Sequence, residues 1–169
     1  MEYKGYLYFP GCKTGPFLPA YDRSVRALLS ALDVGMAETE FNCCGYPGRD
    51  IDFTASILSS ARVLAMAAQQ KAAILTPCKC CFGNLKQADF WMRTNAQLRL
   101  RINQMLKAEG LAWTGTVEVR HLLSVLAEDI GTARIRERVT RPLHELKVAA
   151  HYGCHALRPS DVTGFDNPL

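Results

Sequence analysis

The chain has 169 residues, of which 49% are hydrophobic and 21% are charged, and 20 basic residues stand against 16 acidic ones. This length predicts one compact domain, and the apolar content and small net charge exclude a disordered chain. The longest apolar run, Val63 to Ala68, is far shorter than the ~20 residues that span a bilayer. The first residues also lack the apolar core of a signal peptide. We therefore expect a cytoplasmic globular protein without membrane insertion.

Composition narrows the functional class further. The sequence has no basic arm and no run of Lys and Arg interleaved with aromatic residues, so nucleic-acid binding is not predicted. Seven cysteines are many for a protein of the cytosol, where thiols are normally kept reduced. Such a set favours metal binding or redox chemistry, and the odd number argues against a closed disulfide framework.

The first predicted elements alternate between strand and helix. Residues 5–9 form a short aromatic run, which predicts a buried strand followed by a turn that carries Cys12. Apolar side chains over residues 21–32 recur with helical spacing. Residues 37–41 then alternate between apolar and polar, which predicts a second strand leading to the Cys43-Cys44 pair.

The middle of the chain repeats this order. Asp50 is the predicted N-cap of an Ala-rich helix that continues to Gln70. Residues 72–76 form a continuous apolar run, which is typical of a strand covered on both faces. Cys78 and Cys81 follow this third strand directly.

The last third of the chain contains weaker signals. A helical pattern ends at Gly110, and residues 117–119 predict a fourth strand. One or two short helices are expected over residues 121–138. Residues 147–152 predict a fifth strand, which leads to Cys154.

Strands that alternate with helices predict an α/β fold with a mainly parallel sheet of about 4–5 strands flanked by helices. In such a sheet, the loops that leave the carboxyl ends of the strands gather at one edge, where ligands usually bind. Because the cysteines follow predicted strand ends, we expect them to lie together at this carboxyl-end edge.

The cysteines follow the pattern Cys12-x30-Cys43-Cys44-x33-Cys78-x-x-Cys81. Each long gap equals about one helix plus one strand, which returns the chain to the same edge of the sheet. Four or five sulfurs can then converge on one metal centre. An ordinary iron-sulfur cluster and a zinc ion each take four ligands, so five sulfurs slightly exceed both needs.

These motifs resemble the cysteine-rich CCG domain of the B-subunit family of heterodisulfide reductase. The matching residues are Gly11-Cys12, Cys43-Cys44-Gly45, Cys78-x-x-Cys81-Phe82-Gly83, Val119-Arg120-His121 and Tyr152-Gly153-Cys154-His155. In that family each complete motif supplies five cysteines to a noncubane 4Fe-4S cluster, and two clusters flank a disulfide substrate. The resemblance implies that the cluster-binding and metal-binding residues here are Cys12, Cys43, Cys44, Cys78 and Cys81.

The family normally carries two CCG modules, and residues 147–154 weakly repeat the strand and Gly-Cys turn at the start of the chain. We therefore expect residues 1–145 to form the first module and residues 146–169 to begin a second, incomplete one. The resemblance implies an iron-sulfur subunit that transfers electrons and reduces a disulfide. Its implied partners are a ferredoxin-like C-subunit and a flavin subunit. With only one complete motif, the isolated chain is expected to be inactive as a reductase.

Two alternatives to the iron-sulfur hypothesis remain at this stage. Zinc could hold the same cysteine loops without redox chemistry, as in a structural or interaction module. A metal-free dithiol oxidoreductase could use Cys78 and Cys81, because a helix N-terminus and Lys79 would lower a thiolate pKa. The dithiol mechanism leaves the other three motif cysteines unexplained.

Three further side chains carry weaker hypotheses. Cys80 stands where the family often has Gly, and we expect that it is not a ligand. His155, beside Cys154, could donate a proton near a disulfide or simply form a hydrogen bond within a turn. His121 is expected to cap a helix rather than to approach the cysteines.

Overall fold

The computed structural model describes residues 5–151 and 153–166. Its strands are β1 (Tyr6–Tyr8), β2 (Met36–Glu38), β3 (Ile74–Thr76) and β4 (Val119–His121). Its α-helices are α1 (Thr14–Phe17), α2 (Pro19–Ala31), α3 (Phe53–Gln69), α4 (Lys79–Thr94), α5 (Ala96–Leu106), α6 (Leu122–Ser124), α7 (Thr132–Arg138), α8 (Cys154–Leu157) and α9 (Ser160–Thr163). Two 3₁₀ turns (Tyr46–Gly48 and Lys107–Glu109) and a π-helix (Val125–Ile130) complete the secondary structure. Within the described residues, no helix is long and apolar enough to cross a membrane.

The four strands form one sheet in the order β2-β1-β3-β4, and every neighbouring pair is parallel. Leu7 pairs with Ala37 on one side and with Ile74 on the other, so β1 lies in the interior of the sheet. Parallel neighbours require crossover connections, and helices supply them here. The predicted α/β fold with a parallel sheet is confirmed.

Alternation along β1 divides the apolar residues between the two faces of the sheet. Leu7 and Phe9 join the larger core, which contains α3, α4 and α5. Tyr6 and Tyr8 join a smaller core formed mainly with α2 and the first turns after β4. The period-2 geometry of a strand therefore gives each face its own hydrophobic layer.

Helix boundaries differ from the sequence prediction at two places. The N-cap of α3 is Asp52 and not Asp50, because Asp52 Oδ1 accepts the N–H of Ala55 at 2.9 Å. The preceding residues are engaged in a tight turn, in which the N–H of Asp52 itself bonds to the carbonyl of Gly48. The helical region before Gly110 is divided at Asn95, whose side chain caps α5.

The predicted fifth strand is wrong over its described residues. Residues 147–151 are irregular and exposed, with Val148 78% exposed, and Tyr152 lies outside the described residues. A strand needs a neighbour to satisfy its backbone hydrogen bonds, and the described sheet ends at β4. The division of the chain at residue 146 stays a prediction.

The segment 153–166 packs directly against α4. An ideal Cβ on Gly83 would collide with the carbonyl oxygen of His155, so only glycine permits this approach of the two backbones. Phe165 makes an edge contact with Phe82 of α4 at 5.7 Å between ring centroids. Thr163 is buried in the same region. Close backbone contact and aromatic packing thus hold the segment on α4.

We expect Gly83→Ala to release the segment 153–166 while α4 remains helical. Alanine is favoured over glycine inside a helix by about 1 kcal/mol, whereas its Cβ collides with the His155 carbonyl. Hydrogen-deuterium exchange should therefore accelerate at the backbone amides of Arg158 and Gly164. Gly15→Ala is the matched control, because a Cβ there has no neighbour within 4 Å. Unchanged exchange at both amides in Gly83→Ala would contradict the expected collision.

Candidate metal centre

Three loops that leave the carboxyl ends of β1, β2 and β3 bring their cysteines into contact. The Sγ atoms of Cys12 and Cys43 are 3.2 Å apart, and those of Cys44 and Cys81 are 3.5 Å apart. Each pair joins loops from different strands. All seven cysteines are free thiols.

A cavity of about 390 Å³ lies among these loops. Its lining residues are Cys12, Lys13, Cys44, Tyr46, Pro47, Cys78, Cys80 and Cys81. Cys43 does not line the cavity but contacts Cys12, which does. The five cysteines named by the sequence motif therefore lie at one edge of the sheet, around or beside one cavity.

Gly11 allows the first loop to approach the third. It has φ +90°, in the left-handed region that favours glycine, and an ideal Cβ would lie 3.1 Å from Cys81 Sγ and 3.3 Å from Cys78 Cβ. Any side chain at this position would intrude on the space between the sulfurs. This close approach explains why a glycine precedes Cys12 in the Gly-Cys motif.

Polar side chains of α3 and α4 anchor the second loop. The carbonyl of buried Cys44 accepts hydrogen bonds from Ser60 Oγ at 2.5 Å and from Asn84 Nδ2 at 2.8 Å. The carbonyl of Cys43 accepts a bond from Ser59 Oγ at 2.8 Å. These three anchors were not predicted from the sequence, although serines recur at helical spacing within the Ala-rich region. Their effect is to fix both sulfur-bearing residues of the pair.

Gly45 completes the second loop by close packing against α3. It also has φ +90°, and an ideal Cβ would lie 2.7 Å from the carbonyl oxygen of Ser56. The loop backbone therefore lies directly on the helix.

Hydrogen bonds among the thiols shift their pKa values in opposite directions. The Cys81 thiol lowers the pKa of Cys78 to about 6, against the effect of burial and with help from the backbone N–H groups of Cys81 and Cys80. The same thiol lowers the pKa of Cys44, while these contacts raise the pKa of Cys81 itself. Burial raises the pKa of Cys43 to about 12. Negative charge therefore concentrates on Cys78, at the N-terminus of α4, where the helix dipole favours it.

The donor set is chemically suited to an iron-sulfur group, which is held by cysteine thiolates. Gly11 leaves open the space between the sulfurs that such a group would need. The thiols stand as contacting pairs, and among residues 5–151 and 153–166 no three His, Cys, Asp or Glu side chains form a ready-made site for one metal ion. The fit rests on the sulfur donors and on the glycine beside them.

The remaining candidates take different positions relative to this cavity. Cys80 lines it from α4, whereas Cys154 is exposed. His155 Nε2 lies 2.7 Å from the hydroxyl of Tyr46, itself a cavity residue. His121 caps α6 as expected, because its Nδ1 accepts the N–H of Leu123 at 3.2 Å.

Comparison with known proteins gives consistent matches. Residues 6–86 match the CCG cysteine-rich domain family. The 8-methylmenaquinol:fumarate reductase membrane anchor subunit of Wolinella succinogenes is 34% identical over 166 residues, which are 97% of this chain and 57% of that protein. The B-subunit of the ferredoxin/F(420)H(2)-dependent CoB-CoM heterodisulfide reductase of Methanosarcina acetivorans is 30% identical over 155 residues, 90% of this chain and 51% of that protein.

The chain thus spans about half the length of the curated relatives that it matches. A crystal structure of a hypothetical protein from Helicobacter pylori shares the fold, with a TM-score of 0.62 and 20% identity over 70% of this chain and 24% of that one. The sequence motifs and these relatives agree: residues 6–86 are similar to the CCG cysteine-rich domain, and 90% or more of the chain is similar to B-subunits of heterodisulfide reductase or to a B-subunit-like protein.

Proposed function

We propose that this protein is an iron-sulfur subunit that transfers electrons to a disulfide within a heterodisulfide-reductase-like complex. The observation that carries the proposal is the meeting of three cysteine loops around one cavity in a relative of the heterodisulfide reductase B-subunit. The proposed ligands of a noncubane 4Fe-4S cluster are Cys12, Cys43, Cys44, Cys78 and Cys81.

The arrangement of the sulfurs supports a group larger than one metal ion. Five donors from three loops exceed the four ligands that a single zinc ion takes. One-electron transfer is the chemistry that an iron-sulfur cluster supplies when bound. The protein's own contribution is to hold the loops, through Ser60 and Asn84 on the carbonyl of Cys44.

The proposed substrate and partners follow from the relatives. Reducing a disulfide consumes two electrons and two protons and yields two thiols, so a module with one cluster supplies half of the electrons at a time. We propose that a ferredoxin-like C-subunit delivers them, that a flavin subunit lies upstream, and that the complex works in the cytoplasm. The names of two relatives include ferredoxin as electron donor for heterodisulfide reductase, which supports the choice of carrier.

One observation favours a second candidate, a metal-free dithiol oxidoreductase. The pKa of Cys78 is lowered to about 6, and the Cys81 thiol that donates to it is the natural resolving group. Here the Cys78 thiolate would attack a disulfide, release one thiol and form a mixed disulfide. The Cys81 thiol, after losing its proton, would attack the Cys78 sulfur and release the second thiol, and an external dithiol would reduce the resulting Cys78–Cys81 disulfide. This mechanism gives no role to Cys12, although its sulfur contacts the Cys43 sulfur.

We expect anaerobic reconstitution with iron and sulfide to load about four irons and four sulfides per chain. Cys81→Ser should lower the iron content severalfold, because that sulfur contacts Cys44 and lines the cavity. Cys80→Ala is the matched control from the same helical turn and should retain full loading. Metal and sulfide analysis together with the absorption band near about 400 nm check the result. Stoichiometric zinc without sulfide, or equal losses in both variants, would contradict the ligand assignment.

Cys12→Ser separates the two candidate functions, because a dithiol mechanism does not use this residue. We expect the reconstituted wild-type chain to show no more viologen-driven disulfide turnover than Cys12→Ser and Cys81→Ser, since one module cannot supply both electrons together. The same variants should also lose iron. Turnover that survives in Cys12→Ser but disappears in Cys81→Ser would instead establish the dithiol mechanism.

A further inference from the structure

Both polar ends of the peptide group between Pro77 and Cys78 are held by side chains. The carbonyl of Pro77 accepts a hydrogen bond from the hydroxyl of Tyr21 at 3.1 Å. The N–H of Cys78 donates to Oγ1 of Thr76 at 3.2 Å. This one peptide group connects the end of β3 to the start of α4 and carries the first sulfur of the Cys-x-x-Cys turn.

The two bonds come from different parts of the fold. Tyr21 belongs to α2, which contributes to the smaller core. Thr76 is the last residue of β3 and is fully buried. Burial and the nearby charge of Cys78 raise the pKa of the Tyr21 phenol, so its hydroxyl remains a donor. The peptide group is therefore fixed by a helix and by the sheet together.

His121 is a further buried polar residue close to this peptide group in the sheet. His121 pairs with Thr76 across β3 and β4, and it is only 5% exposed. Its Nδ1 accepts the N–H of Leu123, so the proton of the neutral ring is on Nε2. Burial lowers the His121 pKa to about 4.

His121 Nε2 has no hydrogen-bond partner among the described residues. A buried N–H without an acceptor is costly. The ring is held by edge contacts with Phe82 and Phe165, at 5.6 and 5.4 Å between centroids. The His121 ring therefore lies beside Thr76 without bonding to the peptide group through Nε2 in the described part of the chain.

We propose that Tyr21 and Thr76 are positioning residues that clamp the Pro77–Cys78 peptide group and so fix the direction in which the Cys78 sulfur enters the cysteine cavity. A fixed peptide plane holds Cys78 as the N-cap residue of α4, directly before the first turn of this helix. Both clamp residues are uncharged, so they orient the sulfur without adding a charge. The consequence for a bound cluster rests on the proposed function, whereas the clamp itself belongs to the protein without metal.

The first test measures the alkylation rate of Cys78 in the reduced, metal-free chain by peptide mass spectrometry at fixed pH. Tyr21→Phe and Thr76→Val each remove one clamp bond, and each should change the alkylation rate about threefold or more as the sulfur leaves the position that the clamp fixes. Thr76→Ser keeps the hydroxyl and should restore the wild-type rate. Tyr6→Phe is the matched control, because its hydroxyl bonds to Asp129 instead, at 2.7 Å.

The result that overturns the proposal is an unchanged Cys78 rate in both Tyr21→Phe and Thr76→Val, or a Thr76→Ser rate no closer to the wild-type rate than that of Thr76→Val. Should Thr76→Val fail to fold, Tyr21→Phe and Thr76→Ser still decide the question. Alkylation of exposed Cys154 in the same samples serves as an internal reference.

The second test is the reduction potential of the chain reconstituted with iron and sulfide. Tyr21→Phe and Thr76→Val should shift this potential by about 28 mV or more, which equals a threefold change in the equilibrium constant for reduction of the cluster at about 59 mV per decade for one electron. Tyr6→Phe should not shift it. If the wild-type chain assembles no cluster, the proposed function fails while the alkylation test still judges the clamp. If the cluster forms with identical potentials in all variants, the clamp has no influence on it and this part of the proposal is overturned.

Discussion

The strand order of the sheet is the constraint on which the cysteine site depends. Because β1 lies between β2 and β3, the three loops that carry the motif cysteines leave neighbouring positions of one sheet edge. Parallel strands lie about 4.8 Å apart, so three consecutive strand ends fall within reach of a few side chains. The sulfur contacts at 3.2 and 3.5 Å follow from this order together with the short loops. A different order with the same elements would separate the motif.

Loops brought this close must also satisfy their buried backbone groups, and α3 shows how this is achieved. The helix is rich in alanine, which lets Gly45 and its neighbours lie directly on it. The same helix carries Ser59 and Ser60, whose hydroxyls supply donors to the carbonyls of the Cys43-Cys44 pair. Small size permits the approach, and the hydroxyls offset the cost of burying the carbonyls. The small and hydroxyl-bearing residues of α3 thus contribute directly to the structure of the cysteine site.

The sequence predicts the elements near the cysteines better than the end of the chain and the polar anchors. Strand type, parallel direction and the edge that carries the cysteines follow from periodicity and from the crossover rule. The prediction of a fifth strand failed because an apolar run such as that around Val148 forms a strand only beside a partner, which local sequence does not show. The polar anchors could not be predicted because their partners are distant in the sequence. Tyr21 and Pro77 are 56 positions apart, and Asn84 donates to the carbonyl of Cys44, 40 positions away. Such contacts depend on how helices pack across the sheet, whereas capping by His121 is local.

The side chains that hold the cysteine loops in place carry no charge, and this affects the charge balance of the site. No carboxylate is found among the described residues that line the cysteine cavity, and Lys13 is its one charged lining residue. Metal binding requires deprotonated thiols. The negative charge of nearby carboxylates would disfavour this deprotonated form. Ser60, Asn84, Thr76 and Tyr21 instead fix the loops by neutral hydrogen bonds. Lys13 lines the cavity and Cys78 is the N-cap of α4, so a cationic side chain and the positive end of a helix dipole both lie at the site that the sulfurs share.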